Sequence, residues 1–208
     1  MRSDLLIVAR RDRRPRIEAT GGLTARDTEP DTVHLLSAAA TPLGGDSVSV
    51  RIVVEPGAVL RIRTAAATVT LPGATTQESH ATWTLEVAGQ LDLDPEPTIV
   101  AGASRHISST RLAIDGSARI KLRERIQIGR SGERQGFWSG TLHADVDGSA
   151  LLRHRIELGS GSVSDDELAA PTACISELRY PETDVVTAGV ALALARGGCL
   201  STWQGERL

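Results

Sequence analysis

The acidic side chains are the residues of this sequence best placed to do chemistry. Leu91-Asp92-Leu93-Asp94-Pro95-Glu96-Pro97 sets three carboxylates at alternating positions. In an extended segment, alternate side chains share a face. Three like charges on one face repel and raise one another's pKa, so the cluster needs a cation, an arginine or open water. Glu124 lies within Ile120-Lys121-Leu122-Arg123-Glu124-Arg125-Ile126-Gln127-Ile128. Strand alternation puts Ile120, Leu122, Glu124, Ile126 and Ile128 on one face, so Glu124 points into an apolar surface. An inward carboxylate is costly unless an arginine pairs with it or it lines a wet cavity. Asp46 closes Pro42-Leu43-Gly44-Gly45-Asp46. The pair Gly44-Gly45 ahead of an aspartate predicts a structural turn with positive φ, its N–H groups held by the Asp46 carboxylate.

Two chemistries suit such carboxylates. One is a glycosidase-like acid pair, which needs two carboxyls held roughly 5–9.5 Å apart and aromatic rings to stack sugars. The chain holds only three Trp, one Tyr and one Phe, which weighs against it. The other is a transient path for a hard cation, in which carboxylates and carbonyls bind weakly enough to let the ion leave. Other constellations are missing from the sequence. Gly44-Gly45-Asp46 lacks the lysine of a phosphate loop and precedes a strand. There is no His-Glu-x-x-His and no Cys-x-x-Cys. His34, His80, His106, His143 and His154 fall in separate segments, and Arg153 and Arg155 beside His154 disfavour cation binding. No stable protein-made metal site is expected. Thr68, Ser79 and Ser139 sit in no nucleophile elbow. Phe137-Trp138, between Gly136 and Ser139-Gly140, reads either as core plugs or as interface anchors.

Strands must position these groups. Ser47 to Val54, Val59 to Thr64, Thr82 to Val87 and Arg119 to Leu122 all alternate polar with apolar or β-branched residues. Helical periodicity is absent from roughly residue 45 to 158. An apolar strand end, a glycine and a second alternating strand recur around Gly57, Gly89, Gly116 and Gly148, spaced by 32, 27 and 32 residues. Asp115-Gly116 and Asp147-Gly148 favour tight hairpins. A period near 30 residues means stacked units, none able to bury its apolar face alone. The predicted fold is mainly β: a layered, β-helix-like scaffold or irregular β-sandwich of repeated strand-turn-strand units, forming one domain over residues 1–208. One or two short helices are expected near the C-terminus, the first starting at Ser164-Asp165-Asp166-Glu167. Residues 185–203 are ambiguous between helix and hairpin, with the Gly197-Gly198 pair favouring the hairpin.

Composition sets the bounds. The 208 residues are 40% apolar but only 2% aromatic, so Val, Ile, Leu and Ala must fill the core and base-stacking platforms are not expected. A net charge of −3 disfavours a generally basic nucleic-acid binder. Charge is uneven: residues 1–16 carry +4, through Arg10, Arg11, Arg13, Arg14 and Arg16 among others, and the rest carries −7. This basic stretch, within residues 1–18, reads as a solvated N-terminal arm or edge strand, or as a docking patch for an acidic partner. Residues 161–184 hold six acids against one Arg, which predicts a surface segment. Cys174 and Cys199 cannot make a disulfide framework. No apolar run reaches a spanning length, so no membrane association and a cytoplasmic location are expected.

Taken in order, these segments resemble the urease accessory protein UreD family, also called UreH. The resemblance rests on Pro42-Leu43-Gly44-Gly45-Asp46 with its following strand, Pro56-Gly57-Ala58, and Thr64-Ala65-Ala66-Ala67-Thr68. It continues through Leu91 to Val100 with its Pro-x-Pro-Thr-Ile, then Glu124 with Ile128-Gly129-Arg130, then Gly132-Glu133 and Phe137. It spans roughly residues 20–158, leaving residues 160–208 as a divergent, shortened C-terminal region. What it implies is a β-rich, non-enzymatic urease-maturation chaperone. Such a scaffold binds apo-urease and the accessory proteins UreF and UreG. It passes nickel(II) in transit to the urease metallocentre, through an internal water-filled tunnel and without holding a cofactor. On that resemblance Asp46, Asp92 and Glu124 are the tunnel or structural candidates. The alternatives are a carbohydrate-active β-solenoid or sandwich enzyme, or a plain interaction module.

Overall fold

The computed structural model describes residues 1–165, 170–184 and 186–208. Two β-sheets pack face to face. The first runs in the order β14 (Ser149–Gly159), β13 (Phe137–Val146), β11 (Arg105–Ile114), β8 (Glu78–Val87), β5 (Ser47–Val54), β1 (Arg2–Ala9) and β2 (Arg16–Thr20). The second runs β16 (Val190–Ala193), β17 (Cys199–Gly205), β15 (Ala173–Tyr180), β12 (Arg119–Ile128), β9 (Gln90–Leu93), β6 (Val59–Thr64), β4 (Thr32–Ser37) and β3 (Leu23–Glu29). Two short strands, β7 (Thr68–Thr70) and β10 (Thr98–Val100), lie parallel beside the last residues of β12.

The centre is a short solenoid. In the first sheet β5, β8, β11 and β13 are parallel neighbours, and in the second so are β6, β9 and β12. Each coil therefore spends one strand in each sheet, which is what the recurring glycine turns mark. The turns differ from expectation in one respect. Those at Gly57, Gly89 and Asp115-Gly116 are arches that carry the chain from one sheet to the other, because each coil buries its apolar face against the opposite sheet. Only Asp147-Gly148 is a hairpin turn, joining antiparallel β13 and β14 with φ of 49° and 72°. At the Asp115 arch the carboxylate instead caps the corner, accepting from the Ser117 N–H at 2.9 Å and its hydroxyl at 2.6 Å.

Alternation decides burial. Leu5, Ile7, Val50, Ile52, Leu85 and Leu112 of the first sheet meet Leu60, Ile62, Leu91 and Ile120 of the second in the larger core. A smaller core at the other end holds Val100, Ile126, Ile128, Trp138, Ile156, Leu158 and Cys174. Outward faces carry cross-strand ion pairs such as Arg51–Glu86, 2.9 Å apart.

The termini correct two expectations. In the basic N-terminal segment, β1 is an inner strand, parallel to β5 with Leu5 and Ile7 buried, and the exposed arginine run leads from it into β2 at the sheet edge. There is no helix among the described residues, so none is long and apolar enough to cross a membrane. Of the expected helix start, residues 166 and 167 lie outside the described residues. Ser164 sits in a turn where its hydroxyl donates to the Glu157 carbonyl at 3.1 Å. The acidic segment is not wholly superficial either, since Glu177 is buried between Arg123 and Arg179, at 2.5 Å from each. The hairpin expected before residue 203 is present as antiparallel β16 and β17, with Gly197 and Gly198 at φ of 88° and 86°.

Candidate functional site

A gap in the second sheet makes the site. After Thr64 the chain leaves the sheet at Ala65-Ala66-Ala67 and rejoins it as β7. One coil later it leaves again at Asp94-Pro95-Glu96-Pro97 and rejoins as β10. The prolines cannot donate to a ladder, and the alanines have no side chains with which to refill the gap. Strand β12 runs straight past both excursions. On the facing sheet, Ala81, Ser108 and Gly140 stand side by side in register, a row of small residues on β8, β11 and β13. Gly140 must be small, because a Cβ there would overlap the Trp138 ring folded over it.

Excursion on one side and small residues on the other leave a cavity of about 410 Å³ between the two cores. Trp83, Trp138, Leu122 and Leu142 give it apolar walls, and Glu124, Ser108, His106, Thr110, Ser176 and His154 give it polar ones. The exposed Ser37, Ala65 to Ala67 and Glu96 rim its mouth.

The mouth is pinned from outside. Arg125 donates to Asp94 at 2.5 Å and to the Pro95 carbonyl at 2.8 Å. Arg123 and Lys121 each approach Asp94 at 3.4 Å. Burial pushes the Asp94 carboxyl up, but these three cations outweigh it and hold its pKa below the usual carboxylate value. The Glu96 N–H donates to Thr64 Oγ1 at 2.9 Å, and the Thr68 N–H to the Pro97 carbonyl at 3.0 Å, which ties the two excursions together.

Glu124 enters the cavity from β12, as alternation requires, and faces Ser108 on the opposite sheet. It is enclosed by protein yet keeps some accessible surface, which is the cavity's own. Burial pushes its pKa up to about 7, against a smaller lowering by the Ser108 hydroxyl. Its charge and burial together push the Cys174 thiol up to about 12, burial being the larger cause.

The other sequence candidates separate. Asp92 lies on the structural side of its two expectations: Leu91 and Leu93 face the core, so Asp92 points out of the sheet, where it meets Arg63 at 2.6 Å and Lys121 at 3.8 Å. It lines no part of the cavity. The acidic run thus divides into an outer ion-pair ladder at Asp92 and Asp94 and an exposed Glu96 at the mouth. Its two aspartates are neutralised by arginine and lysine rather than poised as an acid pair.

Asp46 is buried in its turn, outside the cavity lining. It accepts from the Leu43 N–H and the Thr41 hydroxyl, each at 2.9 Å, and from the Met1 amino group. Burial raises its pKa, and these hydrogen bonds more than reverse the rise. Gly45 has a φ of 92°, and a Cβ on Gly44 would overlap the Thr76 carbonyl.

Phe137 and Trp138 are both buried, Phe137 beneath the Arg105 guanidinium at 4.0 Å. Arg10 pairs with Glu55 at 2.9 Å, Arg11 with Asp12 at 3.4 Å and Arg14 with Asp27 at 2.9 Å, while Arg13 has no ion pair among the described residues. Much of that patch is therefore neutralised locally.

Sequence reasoning missed His106. Counting back by twos from buried Ile114 and Leu112 places Thr110, Ser108 and His106 on the same inward face, so the signal was there to be read. Arg125 as the pin of the Asp94 excursion had no such signal, because the pairing joins residues 31 positions apart. Among the described residues, no three His, Cys, Asp or Glu gather as a metal cage.

A parallel β-solenoid that opens its core around a carboxylate defines a scaffold with an internal polar compartment. The family model described as UreD urease accessory protein matches residues 16–193, and the chain belongs to that family. Its relatives include urease accessory protein UreD 1 of Saccharopolyspora erythraea, 36% identical over 79% of this chain and 64% of that protein. UreD of Frankia alni is 48% identical over 57% of this chain and 41% of its own length. UreD of Frankia casuarinae is 40% identical over 76% of this chain and 55% of its own length. The chain spans roughly half of the curated relatives it matches.

Proposed function

We propose that this protein is a non-enzymatic chaperone of urease maturation in the cytoplasm. It binds apo-urease together with the accessory proteins UreF and UreG, and it lets nickel(II) pass through the cavity between its sheets toward the urease metallocentre. The observation that carries this reading is Glu124, an inward carboxylate that lines a polar cavity and makes no ion pair among the described residues, its neighbours Arg123 and Arg125 being engaged by Asp94 and Glu177. A single carboxylate with hydroxyl and imidazole neighbours attracts a divalent ion without caging it, which suits an ion that has to be handed on. Family membership supplies the urease context.

The test is co-purification followed by metal analysis. The tagged chain is expected to retain UreF, UreG or urease subunits. Glu124→Gln is expected to keep those partners while lowering the nickel content and activity of the matured urease. Wild-type nickel loading with Glu124→Gln would remove the cavity route. Loss of every partner from the folded wild-type chain would remove the chaperone reading.

A further inference from the structure

His106 is the one imidazole whose setting goes beyond packing. It is buried, at 5% exposure, yet lines the cavity two residues along β11 from Ser108, which faces Glu124. Its Nδ1 lies 2.9 Å from Ser79 Oγ, and that oxygen lies 3.4 Å from the Arg105 carbonyl. The carbonyl can only accept, and with the Ser79 hydroxyl donating to it Ser79 Oγ accepts from Nδ1–H, which is the tautomer assigned here. The lone pair is then left on Nε2, and the ring's hydrogen bond among the described residues is the one at Nδ1. A ring whose far N–H is anchored through a hydroxyl to the backbone is the arrangement that orients metal-binding histidines.

We propose that His106 Nε2 is a nitrogen donor for a divalent transition-metal ion crossing the cavity, acting with Glu124 on the facing strand β12 as a two-donor station. The inference rests on the proposed nickel route and adds selectivity to it. Carboxylates alone accept Mg²⁺ and Ca²⁺ readily, whereas imidazole favours nickel and its neighbours. Two donors fall short of a cage, in keeping with release. Burial, helped by the nearby His80, lowers the His106 pKa to about 4, so the ring is neutral and its lone pair free at physiological pH. His154 also lines the cavity, but its Nε2 is enclosed without a partner and no second group orients its ring.

The full chain with ¹⁵N-labelled histidine, titrated with Ni²⁺ and separately with Mg²⁺ at pH 7.5, tests this. Paramagnetic broadening of the His106 ring signal, assigned by its loss in His106→Gln, is expected at lower Ni²⁺ than for exposed His80 or His143. Mg²⁺ is expected to change nothing. Ser79→Ala leaves the imidazole present but unanchored, and is expected to raise the Ni²⁺ needed for broadening roughly tenfold. An unbroadened His106 signal in a chain whose Glu124→Gln form still loses nickel delivery overturns the His106 assignment and spares the route. If the indole N–H signals of Trp83 and Trp138 are also indifferent to Ni²⁺, and Glu124→Gln delivers nickel normally, the route itself fails.

Discussion

Glu124 shows how a single residue can be expensive to keep. Its pKa rises from an ordinary 4.5 to about 7 in the folded chain. Below pH 4.5 the carboxyl is protonated folded or unfolded and contributes no pH dependence. As pH rises toward 7 the unfolded chain ionises first, so the folded state loses stability, by no more than about 3 kcal/mol. Above pH 7 the penalty is constant. Glu124→Gln should therefore melt close to wild type at pH 4 and roughly 6–12 °C higher at pH 8. Thermal melts at the two pH values check this, and an equal gap at both would remove the buried-acid account. Glu124 was legible in the sequence because strand alternation needs only local order. Asp92 follows the same arithmetic, and the neighbouring Leu91 and Leu93 already point it outward. The clustering of acids obscured that, because like charge close in sequence resembles a site even when both aspartates meet basic partners across the sheet.

The elements most exposed to single substitutions are the turns and excursions that depart from the sheets. Gly45→Val forces a β-branched residue to a φ of 92° and should leave the chain insoluble or several kcal/mol less stable (about 2–4 kcal/mol). Gly44→Ala should fail through overlap with the Thr76 carbonyl, whatever its φ. Solubility and urea melts of both variants decide this, and a normally stable Gly45→Val would refute the turn. Asp94→Ala removes the anion that Lys121, Arg123 and Arg125 surround at the cavity mouth. Its expected cost is about 1–3 kcal/mol, with hydrogen exchange rising selectively at the amides of residues 94, 96 and 98. Unchanged exchange there would mean that the excursion is held by its backbone bonds alone. The stacked period was readable from the glycine spacing. The arches were not, because Asp-Gly favours a compact corner in either setting, and only burial of both flanking strands against opposite sheets decides which one forms.

The whole molecule is divided by its cavity into a large core and a small one. With so few aromatics, the sequence left Val, Ile, Leu and Ala to close that space, and they do so everywhere except where the second sheet parts. The cavity was out of reach from the sequence because it depends on two excursions from successive coils meeting a row of small residues on the opposite sheet. The chain has three tryptophans, and two of them, Trp83 and Trp138, stand in the cavity wall, while Trp203 lies on β17 outside the lining. The protein therefore carries its own optical reporter. Ultraviolet emission should be dominated by the compartment, with one tyrosine adding little background. A Trp203→Phe chain would glow almost wholly from within. A solute small enough to pass the rim should dim that light without any dye or label, and a bulky quencher such as a derivatised polymer should leave it unchanged.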